Sequence, residues 1–223
     1  MTRFAFVTAL TLGRAPLVLA GAALLLLGFF RPCPALLASG LSLCALSAAT
    51  DLFDGMLARR WRVTSRFGAL ADPLMDKAFF MATLPVATFG ALYVEDVPHA
   101  VALLGLDLLF LFRDQWVTFL RAAGSGCGAE VKAALPGKIR TFLSFPGILL
   151  VHLRIGQMAI AAGSPGHEAL RPVPAAPVYA VEAVLALLTV WTCAYYTRAY
   201  APCLRKAAAE RGGAAAGCTE ASK

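Results

Sequence analysis

The feature that most constrains this chain is a series of long apolar runs. Six segments, roughly 9–30, 34–57, 69–93, 98–121, 139–162 and 176–200, are mostly apolar along their whole length. A helix that crosses a bilayer needs ~20 such residues, and its backbone polar groups must be satisfied within the helix. The runs therefore predict an all-α integral membrane bundle of about six transmembrane helices. Composition agrees. The chain of 223 residues is 59% hydrophobic and only 15% charged, too little charge to cover a soluble surface.

Short turns separate the runs: RPCP at 31–34, RRWRVTSR at 59–66, VEDVP at 94–98, GSGCGAEVKAALPGK at 124–138 and SPGHEALRPVPAAP at 164–177. The first run exceeds the core of a secretory signal, roughly 7–15 residues, and is read as a retained span. After Tyr200 the sequence turns small and polar. The expected division is a transmembrane domain over 1–203 and a flexible cytoplasmic tail over 204–223. No two of the six cysteines form a C-x-x-C pair, so they are read as small hydrophobes.

The net charge of +7 has a membrane explanation, and no nucleic-acid partner is expected. Lys and Arg gather in cytoplasmic loops. One set of ends holds Arg3, then Arg59, Arg60, Arg62 and Arg66, then Lys132 and Lys138, then Arg205, Lys206 and Arg211. The other set holds Arg31 and Arg171 beside Glu95, Asp96 and Glu168. This asymmetry predicts that both termini are cytoplasmic. Arg154 lies inside the fifth run, where a long side chain can snorkel toward water.

Against this oily background, residues 50–77 read TDLFDGMLARRWRVTSRFGALADPLMDK. Asp51 and Asp54 are three apart, and Gly68, Asp72 and Asp76 are spaced by four, so each set shares a helix face. The basic turn between them predicts an antiparallel hairpin at the cytoplasmic membrane face. Two like charges ~4 Å apart at an effective dielectric of ~20 repel by about 4 kcal/mol. Four carboxylates gathered there need protons or cations. An isolated Asp at a helix end is commonly a cap; four on matched faces point instead to hard divalent cations and a substrate phosphate. Gly55, Ala58 and Gly68 are small enough for close backbone approach, and Arg59 is suited to a phosphate.

These residues read D-x-x-D-G-x-x-A-R, eight intervening residues, then G-x-x-x-D-x-x-x-D. The pattern resembles the signature of the CDP-alcohol phosphotransferases at all eight fixed positions. The resemblance implies a six-helix, usually dimeric enzyme of the cell (inner, cytoplasmic) membrane, with its active site facing the cytoplasm and two Mg²⁺ or Mn²⁺ ions. By the same resemblance Asp51, Asp54, Asp72 and Asp76 would hold the metals, and Asp76 would also be the general base. Asp51, Gly55, Ala58, Arg59 and Gly68 would hold the CDP moiety.

Further segments resemble the phosphatidylglycerophosphate synthase branch: DPLMDK (72–77), RDQWVTFLR (113–121), PGKIRT (136–141) and LTLGRAPLVL (10–19). That branch implies CDP-diacylglycerol and glycerol 3-phosphate as substrates, with membrane lipids as surroundings. Asp114 stands where relatives usually carry Glu, Arg140 where they carry Lys, and Met75 where a small residue is common. A glycerol 3-phosphate dianion needs a basic pocket beside the metals. Lys77, Arg113, Arg121, Lys138 and Arg140 are the candidates, though Arg113 can instead bridge to Asp107 or Asp114. The alternatives are a cardiolipin synthase or another acceptor within the family and, from a different class, an ion-coupled transporter. A transporter would carry its carboxylates near the membrane midplane rather than at helix ends.

Overall fold

In the computed structural model the chain is described over residues 2–61, 66–126, 135–163 and 172–220. Side chains are described over the same residues except 2–11, 51–59, 61, 66–73, 76, 126 and 206–220. Among the described residues the fold is all-α, with one helix for each apolar run. The helices are α1 (Thr2–Phe30), α2 (Pro34–Trp61), α3 (Arg66–Tyr93), α4 (Val97–Gly126), α5 (Leu135–Gly163) and α6 (Ala175–Glu220). Each outlasts its run at one end or both, because hydropathy marks the lipid-immersed part while the backbone ladder continues into charged ends. The boundary expected at 203/204 falls inside α6.

Three stretches among the described residues are long and apolar enough to cross a membrane: Leu12–Phe30, Leu135–Gly163 and Ala175–Arg205. α2 and α3 contribute shorter apolar stretches, Pro34–Thr50 and Lys77–Tyr93. α4 carries Asp107, Arg113 and Asp114 within one otherwise apolar stretch. The chain is thus a helical membrane protein.

The helices close a ring in the order α1, α2, α5, α6, α4, α3, and α5 also touches α1 and α3 across it. Leu25, Phe29, Leu84, Leu103, Ile148, Ile155 and Leu185 fill the centre and are almost wholly buried. α1 and α2 approach closely at two glycines. A Cβ on Gly40 would sit 2.9 Å from the Gly21 carbonyl oxygen, and one on Gly21 would sit 2.7 Å from Cys44 Sγ. Small residues permit such backbone contact where lipid gives no hydrophobic drive for association.

A hydroxyl inside a span needs an acceptor. Thr83, Ser144, Thr189 and Thr197 each donate to the carbonyl four residues back. A cluster of Phe79, Phe80, Phe110 and Phe145 joins α3, α4 and α5, with ring centroids 4.7 Å apart for Phe79 and Phe145 and 5.4 Å for Phe80 and Phe110.

The end of the bundle near the start of α4 is tied by polar contacts. His99 Nε2 lies 2.7 Å from Glu182 Oε1, linking α4 to α6. Arg154 does not snorkel. It is 8% exposed, its Nη1 donates to the Val173 carbonyl at 2.7 Å, and its Nη2 lies 3.8 Å from Asp96 Oδ2. The reason is local: the chain returning to α6 brings a backbone acceptor to the guanidinium. Gln157 Oε1 accepts from the Val173 N–H at 2.8 Å, so both backbone groups of Val173 are held by α5. His152 is fully buried, with Nδ1 2.8 Å from the Ile148 carbonyl oxygen.

Candidate functional site

The acidic signature falls on two helix ends. α2 carries the positions of Asp51, Asp54, Gly55, Ala58 and Arg59 in its last three turns, and α3 carries those of Gly68, Asp72 and Asp76 in its first three. The helical backbone keeps the spacings of three and four that put each set on one face. The side chains of all eight lie outside the described residues, as does the turn that would complete the hairpin. Among the described residues α2 and α3 each pack on α1 and α5. Among the described residues no group of three or more His, Cys, Asp or Glu could hold a metal.

The basic candidates are described in detail, and four of the five meet around the second half of α4. Lys77, one position past Asp76 on α3, donates from Nζ to Thr118 Oγ1 at 3.0 Å. Thr118 in turn donates to the Asp114 carbonyl at 2.7 Å. Arg113 donates from Nη1 to Asp114 Oδ1 at 2.8 Å and from Nε to Thr192 Oγ1 at 3.2 Å. Of the two bridges open to Arg113 in the sequence, the structure forms the one to Asp114. Arg140, on α5, donates from Nη1 to the same Asp114 Oδ1 at 3.2 Å and from Nε to Thr189 Oγ1 at 3.0 Å. Its guanidinium carbon lies 4.0 Å from the Phe110 ring centroid, within cation–π range. Arg140 is 1% exposed, so it is an interior residue rather than a marker of the membrane boundary.

Tyr196, on α6, joins Arg113 to Arg121. Both guanidinium carbons lie 5.6 Å from its ring centroid. Arg121 is exposed and has no carboxylate partner among the described residues. Lys138 is exposed at the start of α5 and makes no polar contact among the described residues, so it is not drawn into the cluster. Gly137 opens the space beside it. A Cβ there would sit 3.3 Å from Tyr196 Oη and 3.5 Å from Arg113 Nη2.

Four cations, Lys77, Arg113, Arg121 and Arg140, thus gather along the second half of α4; Arg113 and Arg140 pair with Asp114, and Asp107 lines the same cleft as Lys77 and Asp114. Such a gathering of donors suits an anion of more than one charge.

α6 supplies residues that the sequence reading passed over. Thr189, Thr192 and Tyr196 repeat at i, i+3 and i+7 and so line one face toward α4 and α5. Thr197 accepts from Trp116 Nε1 at 2.8 Å on the same side. Val117 and Leu120 of α4 pack against Tyr196, Tyr200 and Cys203, which fixes α6 at this distance. A hydroxyl stripe in a span otherwise made of Leu, Val and Ala was the available signal. Arg14, buried in α1, was another, because charge inside a span is costly. Ser47, four residues before Asp51, donates to the Arg14 carbonyl at 3.3 Å.

A family model described as CDP-alcohol phosphatidyltransferase matches residues 5–195. A CDP-diacylglycerol–glycerol-3-phosphate 3-phosphatidyltransferase of Cereibacter sphaeroides is 34% identical over 136 residues, which cover 61% of this chain and 58% of the relative. A protein of the same name from Pectobacterium atrosepticum is 35% identical over 104 residues, 44% of this chain and 54% of the relative. A probable phosphatidylglycerophosphate synthase of Mycobacterium tuberculosis is 34% identical over 119 residues, 53% of this chain and 52% of the relative. The chain spans about half the length of the curated relatives it matches. No solved structure matches.

Proposed function

The chain belongs to the CDP-alcohol phosphatidyltransferase family, and on that basis we propose that it joins CDP-diacylglycerol to glycerol 3-phosphate, giving phosphatidylglycerophosphate and CMP. The observation that supports the choice of acceptor is the gathering of basic side chains along the second half of α4, with Lys77, Arg113 and Arg121 in front of the buried Arg140. A dianionic phosphate monoester is what such a basin would hold. The names of the relatives agree with that acceptor.

In this reading Asp51, Asp54, Asp72 and Asp76 hold two Mg²⁺ or Mn²⁺ ions, for which carboxylates are the fitting donors. When bound, such ions neutralise the diphosphate of the donor. Gly55, Ala58 and Gly68 leave room for the nucleotide, and Arg59 grips its phosphates. The acceptor oxygen bonds to the lipid-bearing phosphorus as the bond from that phosphorus to CMP breaks, and the hydroxyl proton passes to Asp76. Lys77 and Arg113 hold the acceptor phosphate meanwhile. The proposal includes six spans, both termini in the cytoplasm, a cell-membrane location with the site facing the cytoplasm, and pairing of two copies. The Lys and Arg asymmetry supports the orientation.

The test is direct. The purified full chain, given CDP-diacylglycerol and Mg²⁺, is offered glycerol 3-phosphate, serine, inositol phosphate or phosphatidylglycerol, and CMP is measured. Release with glycerol 3-phosphate is expected. Release only with phosphatidylglycerol would make it a cardiolipin synthase, and none with any alcohol would remove the transferase reading.

A further inference from the structure

Asp114 is an odd residue to find in a site for an anion, since a carboxylate repels a phosphate. We propose that Asp114 is the positioning residue of the acceptor site: it acts through Arg113, and Arg140 is the buried anchor that fixes it. The inference rests on the function proposed above and assigns separate roles to side chains of that same site.

Exposure separates the two arginines, since each donates from Nε to an α6 threonine and from Nη1 to Asp114. Arg140 is the more enclosed of the two. Its Nε is on Thr189, its Nη1 on Asp114, its guanidinium over Phe110, and its side chain is 2% exposed. It has no room to swing toward an acceptor arriving from water. Arg113 is held by the same two kinds of hydrogen bond but is less enclosed. Nε donates to Thr192 and Nη1 to Asp114, while Nη2 makes no hydrogen bond among the described residues. Its side chain is 12% exposed. Two of its donors are thus used to orient the third. A guanidinium fixed in advance loses less freedom on binding than a mobile one.

A single oxygen, Asp114 Oδ1, makes this possible, because it accepts from both arginines. Without it the two guanidiniums would lose the oxygen they share, and Arg113, the less buried of the two, would lose its fixed direction. The α6 threonines complete the frame. Thr189 and Thr192 each donate backward along their own helix, at 2.6 Å and 3.0 Å, which leaves their lone pairs directed at the arginines.

The test compares the parent with Asp114→Asn, Asp114→Glu, Arg140→Lys and the double variant Asp114→Asn/Arg140→Lys, in detergent or nanodiscs with Mg²⁺. Loss of one charge-assisted contact corresponds to roughly 10-fold, so Asp114→Asn should raise KM for glycerol 3-phosphate by about that factor and leave KM for CDP-diacylglycerol unchanged. Asp114→Glu should recover most of the loss. The double variant should match Asp114→Asn alone, because Arg140 acts through the carboxylate. A full additional effect of Arg140→Lys in the double variant would show that Arg140 touches the acceptor, and would overturn the anchor role. Equal changes in both KM values, or a fall in kcat alone, would make Asp114 merely structural. Calorimetric binding of glycerol 3-phosphate to the same proteins separates this inference from the proposed reaction. A parent without turnover that still binds it more tightly than Asp114→Asn overturns the reaction alone. Equal binding by the two overturns the role of Asp114.

Discussion

The contact between His99 and Glu182 gives a quantitative test of what holds the far end of the bundle. His99 is 1% exposed and Glu182 8%, and their ring nitrogen and carboxylate oxygen are 2.7 Å apart. Asp96 also approaches the imidazole, but Oδ2 is 3.7 Å from Nδ1, too far for a hydrogen bond. Glu182 is therefore the bonded partner. Removing one member of a buried hydrogen-bonded pair leaves the other unsatisfied and typically costs about 1–3 kcal/mol, whereas replacing both by apolar side chains is close to neutral or stabilising. Glu182→Leu and His99→Leu should each destabilise the protein by roughly that amount, and the double variant should lose far less than their sum. Unfolding of the detergent-solubilised protein in rising sodium dodecyl sulfate, followed by circular dichroism, gives the four free energies of the cycle. Fourteen residues along α4 separate His99 from Arg113, about 21 Å of helix, so the KM for acceptor should not move in any of the variants. Single costs that add in the double variant to within ~0.5 kcal/mol would refute the pairing argument. A shift in KM would refute the separation of the two ends.

Two further outcomes are expected. Gly40→Val places a Cβ 2.9 Å from the Gly21 carbonyl and from the Leu25 nitrogen, backbone atoms that cannot turn aside, and should cost about 1–3 kcal/mol by overpacking; Gly105→Ala, where a Cβ meets nothing within 4 Å, should not destabilise, and equal losses would refute the close-approach account. Asp107 is 7% exposed with Oδ1 lacking a hydrogen-bond partner among the described residues, so Asp107→Asn should raise the thermal midpoint, by roughly 2–4 °C for each kcal/mol relieved. A lower midpoint would show that the carboxylate is held.

The helices were legible in the sequence because lipid leaves little choice: each long apolar run must close its own hydrogen bonds, and each became one helix. The registers of Asp51 with Asp54 and of Asp72 with Asp76 were legible for the same reason, since helical spacing alone fixes them. The roles inside the basic cluster were not. Counting Lys and Arg finds Arg113 and Arg140 but cannot tell that they share one oxygen, because that depends on which helices become neighbours in the ring. Arg140 bonds to Thr189, 49 residues away, and Arg113 to Thr192, 79 residues away. α6 read as an ordinary span because threonine hardly changes hydropathy, yet its hydroxyls accept from both guanidiniums. Arg154 makes the same point at the other end, where a charge expected to reach for water found the Val173 carbonyl instead. In a bundle of this kind the role of a charged side chain is set by the neutral acceptors of the helix or turn opposite it, so the hydroxyl pattern of each span has to be read together with its charges.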